Sequence, residues 1–243
     1  MKEAIKQLLK KLPIAFTQNQ RYDRQTRAVI QKVCKADSTC IDVGCHKGEV
    51  LDVMLQAAPL GKHYGFEPIP FMFQALKAKY QGQNCEILDL ALSNEDGEAT
   101  FNFVVSNPSY SGLRKRKYDR EGEEDTSITV RTAKLDEVLP ANQKVDLIKI
   151  DVEGGEMLVL EGAKQTLLQK RPVVLFEHGL GASDYYGAGP EQVFTYFTEC
   201  GYTISTLKAW LNGEGAFDQK EFEAQFFQKH NFFFIAYPQE IKR

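Results

Sequence analysis

Residues 147–156 read LIKIDVEGGE, and this stretch decides the fold. Leu147, Ile148 and Ile150 form a short apolar run of the kind buried on both faces inside a parallel sheet. The run ends abruptly in two carboxylates, Asp151 and Glu153, followed by Gly154 and Gly155. In an open α/β sheet, ligands sit outside the carboxyl ends of the strands, where the strand order switches. Carboxylates at that edge face a crevice and not the apolar interior, which avoids the cost of an isolated buried charge. The glycines let the turn into the next helix pass close to whatever occupies the crevice.

Working outward, the same pattern recurs upstream. Strand-like TCIDVGC (39–45) runs into a helix from about Glu49 to Ala57, and HYGFEP (63–68) into one from about Pro70 to Tyr80. CEILDLAL (85–92) is a third strand, giving β-α-β-α-β, the order of a parallel doubly wound sheet. EATFNFVV (98–105) and SITVRTA (127–133) alternate like half-exposed strands, which predicts a β-hairpin insertion with a long, mobile polar loop between them. Strand–helix order resumes with residues 147–169, RPVVLFEH (171–178) and a helix starting at Pro190. YTISTL (202–207) and NFFFIAYP (231–238) read as closing strands, the latter as a late antiparallel insertion.

The chain has 243 residues, 43% hydrophobic and 26% charged, with a formal net charge of −3. That length and composition fit one α/β domain (39–243) preceded by an N-terminal helical extension (1–38). The charge gives no electrostatic reason to expect nucleic-acid binding. Five cysteines (34, 40, 45, 85 and 200) include no CxxC pair, which argues against a disulfide framework or a zinc site and for a reducing cytoplasm. No apolar stretch is long enough for a transmembrane segment. Ile5, Leu8, Leu9 and Leu12 recur at helical spacing with lysines opposite. That pattern predicts a helix docked on its own domain, with peripheral contact to a membrane or a partner as the alternative.

Candidate ligand contacts gather at the carboxyl edge of the expected sheet. Asp42, Gly44 and Gly48 follow the first strand in a D-x-G-x-x-x-G turn. Its glycines permit close backbone approach and the next helix offers unpaired N–H groups, but the G-x-G-x-x-G dinucleotide fingerprint is absent. Glu67, at the tip of the second strand, is placed to accept the two hydroxyls of a ribose. Leu90 and Ala91, after the third strand, are candidates for one wall of an adenine slot or for simple strand packing.

Taken in order, IDVGCHKGE (41–49), GFEP (65–68), ALSNEDGEATF (91–101), TAKLDEVL (132–139) and DLIKIDVEGGEMLVLEGA (146–163) resemble the FkbM family of S-adenosylmethionine-dependent methyltransferases. The resemblance runs from about Cys40 to His178. It implies a Rossmann-like class I methyltransferase fold and O-methylation of sugars or other small molecules. It further implies that Asp42, Gly44 and Gly48 line the methionine end of the cofactor, that Glu67 holds its ribose, and that Leu90 and Ala91 border the adenine. Asp151 then lies near the sulfonium and the incoming substrate. Cys45 and His46 stand where the family commonly has Ala-Asn.

Methyl transfer to a hydroxyl requires alignment, exclusion of water and a base. His178, at the tip of VVLFEH, is the first candidate base because imidazole titrates near neutral pH; Asp151, Glu153 and Glu177 compete with it. No metal is assigned, although Asp151 and Glu153 are also a possible pair for an ion that orients a diol. RKRKYDR (114–120) reads as a self-neutralised loop or a lid for a phosphate-bearing substrate, and GLGASDYYGAG (179–189) as a second wall offering Tyr185 or Tyr186 to a sugar ring. The expected acceptor is a small molecule or a glycan. A nicotinamide-dependent oxidoreductase and a noncatalytic cofactor-binding module are the alternatives.

Overall fold

A computed structural model describes residues 17–118 and 122–240. The expected helix around residues 5–12 and the end of the 114–120 cluster lie outside the described residues.

The main sheet is built from β1 (Cys40–Val43), β2 (His63–Phe66), β3 (Cys85–Leu88), β7 (Leu147–Ile150), β8 (Val173–Glu177), β9 (Tyr202–Thr206) and β10 (Phe233–Pro238). Their spatial order is β3-β2-β1-β7-β8-β10-β9. All pairings are parallel except those of β10, which inserts antiparallel between β8 and β9. The order reverses between β1 and β7, so the crevice falls at their carboxyl ends. A second sheet holds β4 (Leu90–Leu92), β5 (Gly97–Val104) and β6 (Asp125–Ala133), with β5 and β6 forming the expected hairpin.

Two elements divide more finely than periodicity suggests. The run CEILDLAL breaks at Asp89: β3 completes the main sheet, and β4 turns away to pair with β6. The helix expected over residues 156–169 is two, α5 (Glu156–Gly162) and α6 (Lys164–Lys170), separated at Ala163.

Each face of the sheet carries its own core. On one side Ile41, Val43, Ile148, Ile150, Val174 and Phe176 pack under α5, α6, α7 (Pro190–Glu199) and α9 (Gln219–Phe227). On the other lie α1 (Gln18–Val33), α2 (Glu49–Ala57) and α3 (Pro70–Lys79). Two short helices, α4 (Leu135–Val138) and α8 (Leu207–Leu211), complete the set of described α-helices. Thr17 starts α1 with a capping box, exchanging hydrogen bonds with Gln20. Tyr22, Thr26, Val29 and Ile30 supply its buried stripe, which packs against α8 and α2. Among the described residues, no helix is long and apolar enough to cross a membrane.

Candidate active site

The crevice at the switch point is an open-mouthed cleft lined by the tips of β1, β2 and β7. The turn after β1 forms its floor. Gly44 has φ +76° and a Cβ there would collide with the Asp151 carbonyl, so only glycine lets the β1 and β7 tips approach this closely. The Gly44 and Cys45 N–H groups both donate to the Phe66 carbonyl, at 3.1 Å each, tying the turn to β2. His46 occupies the left-handed region at φ +50°, a conformation that Asn adopts more easily than most residues.

That twist aims the His46 N–H at Glu67 Oε2, 2.9 Å away, while the Ile69 N–H donates to Glu67 Oε1 at 3.0 Å. Glu67 is 4% exposed yet lines the cleft. Burial pushes its carboxyl up to about 7, against the pull of the two N–H groups. A carboxylate carboxyl-edge anchor of this kind has fixed oxygens with lone pairs left for hydroxyl donors. Beside it Ile69, Leu90, Ala91, Leu92 and Phe101 form an apolar slot.

On the far side of the turn, sheet register sets Lys149 beside Asp42 on adjacent strands. The Lys149 ammonium donates to the Gly44 carbonyl at 2.9 Å and lies 3.2 Å from Asp42 Oδ1 and 3.5 Å from Asp151 Oδ2. Burial alone would lower this lysine, but Asp42 and Asp151 outweigh it and raise it above the ordinary range. Asp42 is 1% exposed and turned to Lys149, so it supports the floor from below and does not line the cleft as expected. Gly48 likewise sits behind the lining: it ends the turn at φ +75°, and its carbonyl accepts from the Tyr80 hydroxyl.

At the β7 tip, Asp151 and Glu153 face the cleft, as the sequence implies. Glu153 holds φ +60°, an uncommon conformation for a non-glycine residue and one that accumulates at functional sites. Below it Glu156 Oε1 accepts from the Val152 and Gly154 N–H groups, which fixes the turn. Arg116 from the hairpin loop forms an ion pair with Glu153 and lies over the Tyr110 ring at 4.8 Å. Arg114 is bound to the same wall, its N–H donating to the Tyr186 hydroxyl. The hairpin loop is thus fastened to the 179–189 loop, and its Pro108, Ser109, Ser111 and Leu113 roof the cleft.

Glu177 ends β8 next to Asp151 and is hydrogen-bonded to it. Burial, first, and then the neighbouring Asp151, Glu153 and Glu156 push Glu177 well above the usual carboxyl range, which favours its protonated form beside Asp151. Oxygens of Asp151, Glu153 and Glu177 lie within 4.8 Å of one another, with Lys149 and Arg116 as their adjacent cations.

The structure separates His178 from this group. Strand residues alternate between faces, so His178 leaves β8 on the side opposite Glu177. Its ring is 1% exposed and stacked on Phe226 and Phe222 of α9, at 4.8 and 5.8 Å between centroids. Burial holds it neutral, down to about 4. A base must reach the proton it removes, and this imidazole is sealed among aromatics. His178→Phe is expected to leave turnover within about twofold while preserving the melting temperature, checked by calorimetry beside a methyl-transfer assay; a hundredfold loss would restore it as the base.

A Rossmann-like sheet thus gathers a glycine turn, an acidic β2 tip and a β7 carboxylate pair around one switch-point cleft. The Methyltransferase FkbM domain matches residues 42–204, and the chain belongs to that family. The 2-O-methyltransferase NoeI of Sinorhizobium fredii is 25% identical over 163 residues, 60% of this chain and 65% of NoeI. The AMB antimetabolite synthetase AmbE of Pseudomonas aeruginosa is 27% identical over 183 residues, 60% of this chain and 9% of AmbE. The chain therefore spans less than two thirds of either relative. The crystal structure of methyltransferase FkbM from Methylobacillus flagellatus superimposes with a TM-score of 0.52 at 12% identity, over 85% of this chain and 45% of that one. The oxidoreductase and noncatalytic alternatives are not favoured.

Sequence reading missed Lys149, whose signal was a lone cation inside an apolar strand, two residues before Asp151 and on its face. It also missed the His46 main-chain contact and the Arg116–Glu153 pair, which joins residues 37 positions apart.

Proposed function

We propose that the chain transfers the methyl group of S-adenosylmethionine to a hydroxyl oxygen of a sugar, glycan or other small molecule. The observation that carries the reading is Glu67, a buried carboxylate fixed by two N–H donors at the β2 tip and open to the cleft. It is suited to a ribose diol, and the adjoining slot of Ile69, Leu90, Ala91 and Phe101 to an adenine. The glycine turn then takes the methionine end. When bound, the cofactor supplies a methyl group on a positively charged sulfur. Pro108, Ser109, Ser111 and Leu113 of the fastened hairpin loop add a wall to the cleft that reduces the access of water.

Asp151 is assigned as the base. Its carboxylate faces the cleft, while Lys149 and the neighbouring Glu177 carboxyl hold it in place. Glu153, paired with Arg116 on the adjacent wall, is assigned to a second hydroxyl of the acceptor. The carboxylates of Asp151 and Glu153 in the cleft lining, the latter paired with Arg116, favour a polyhydroxylated acceptor, in keeping with the 2-O-methyltransferase name of the NoeI relative.

Calorimetric titration with S-adenosylhomocysteine and with NADH tests the cofactor, and a panel of glycosides incubated with S-adenosylmethionine tests the reaction. Micromolar binding of S-adenosylhomocysteine alone, with a methyl ether in the product by mass spectrometry and NMR, is the expected result. Binding of NADH instead, or methylation at nitrogen, would overturn the assignment.

A further inference from the structure

We infer that Asp23, on the N-terminal helix α1, belongs to the cofactor site and accepts a hydrogen bond from the ammonium of the methionine moiety. The inference rests on the cofactor reading above and adds to it a residue from outside the matched domain.

Of the residues lining the cleft, Asp23 alone comes from α1. Helix α1 packs against α2, whose first turn and the glycine turn before it give His46, Lys47, Glu49 and Val50 to the same cleft. An amino-acid end carries both charges and needs both kinds of partner. The carboxylate is served by Lys47 and the N–H groups opening α2. The ammonium requires oxygen acceptors, and a carboxylate makes the stronger, charge-assisted bond. Asp23 and Glu49 are the acids that α1 and α2 contribute to the cleft lining. Glu49 lies in the first turn of its own helix, where its charge offsets the positive end of the dipole. Asp23 approaches from a different element.

Its position is held firmly. The adjacent Tyr22 is buried with its ring edge on Phe232, and its hydroxyl donates to Asn231 Oδ1 at 3.1 Å and accepts from the Phe232 N–H at 3.2 Å. One turn further, Thr26 is buried, and Val29 and Ile30 are fully enclosed. The register of α1 is thereby fixed, and with it the direction from which Asp23 meets the cleft. The helix that sequence reading set apart as an extension is in this account one wall of the catalytic domain.

The test compares two probes that differ only beyond the sulfur. S-adenosylhomocysteine carries the amino-acid end; 5′-methylthioadenosine has the nucleoside and sulfur without it. In the full chain, Asp23→Asn is expected to weaken S-adenosylhomocysteine about tenfold and to leave 5′-methylthioadenosine within twofold, with an unchanged melting temperature. Glu49→Gln, titrated in parallel, is expected to change neither by more than about threefold. Unchanged S-adenosylhomocysteine affinity in Asp23→Asn, equal loss of both probes, or a tenfold selective loss appearing only in Glu49→Gln would overturn the assignment. Wild-type protein that binds neither probe would overturn the cofactor reading, and this assignment with it.

Discussion

Glu67→Ala is expected to weaken S-adenosylhomocysteine about a hundredfold, about 2.7 kcal/mol, because two charge-assisted hydrogen bonds to the ribose are lost together. The side chain is held at both oxygens by the His46 and Ile69 N–H groups, so the diol meets an acceptor that needs no reorganisation. Truncation leaves those two donors to water at the cleft floor, a local cost that spares the sheet. Calorimetric titration of a variant with wild-type circular dichroism gives the answer, and undiminished affinity would remove the ribose assignment.

The same carboxyl predicts a pH signature. Burial raises Glu67 to about 7 from an ordinary value of 4.5. A raised carboxyl makes the folded state bind more protons than the unfolded chain between those values. Its stabilising contribution is therefore complete below about 4.5 and is lost as pH rises through about 7. Ribose hydroxyls bond best to the ionised form, so cofactor binding expels the proton, and affinity rises with pH up to about 7. Titrations in buffers of different ionisation enthalpy should show proton release in the wild type and none in Glu67→Gln. Equal proton release in both would assign it to another group.

The carboxyl edge of the sheet was readable in the sequence because apolar strands and charged tips alternate there in a fixed order. LIKIDVEGGE and GFEP each place a carboxylate where a buried strand meets a turn, and both Asp151 and Glu67 line the cleft. Register was not readable. Whether His178 or Glu177 faces the crevice depends on which residue of β8 lies beside Lys149, and that is Leu175. Two residues on, Glu177 shares the face of Asp151, and His178 is left to the aromatics of α9. A histidine at a strand tip has the right chemistry, but parity along the strand decides its access. The partner of Asp42 was equally unreadable: it is an acid at a strand end, as expected, and its neighbour in register is a buried lysine. The ion pair holds the acid against Lys149 beneath the turn, and burial still raises its carboxyl above the ordinary range. The break at Asp89 also depended on tertiary pairing, since only the presence of β6 draws Leu90–Leu92 out of the main sheet.

Asp151→Asn is expected to reduce turnover about a thousandfold, within the range that loss of a general base produces, while S-adenosylhomocysteine affinity changes less than about fivefold. Removing the charge also frees Lys149 from one of its two carboxylates, but Asp42 and the Gly44 carbonyl keep the ammonium in place. The turn geometry should therefore survive, since the Asp151 N–H remains bonded to the Val43 carbonyl at 3.1 Å. Glu177→Gln is the informative partner. Its amide still donates to Asp151, so turnover should fall no more than about tenfold if Glu177 only orients the base. The two variants then separate proton removal from positioning: loss in both the maximal rate and the ratio to KM for Asp151→Asn, and a modest shift for Glu177→Gln. Should Glu177→Gln prove as damaging as Asp151→Asn, the proton must pass to Glu177 itself. In that case the active base is the pair and not its exposed member.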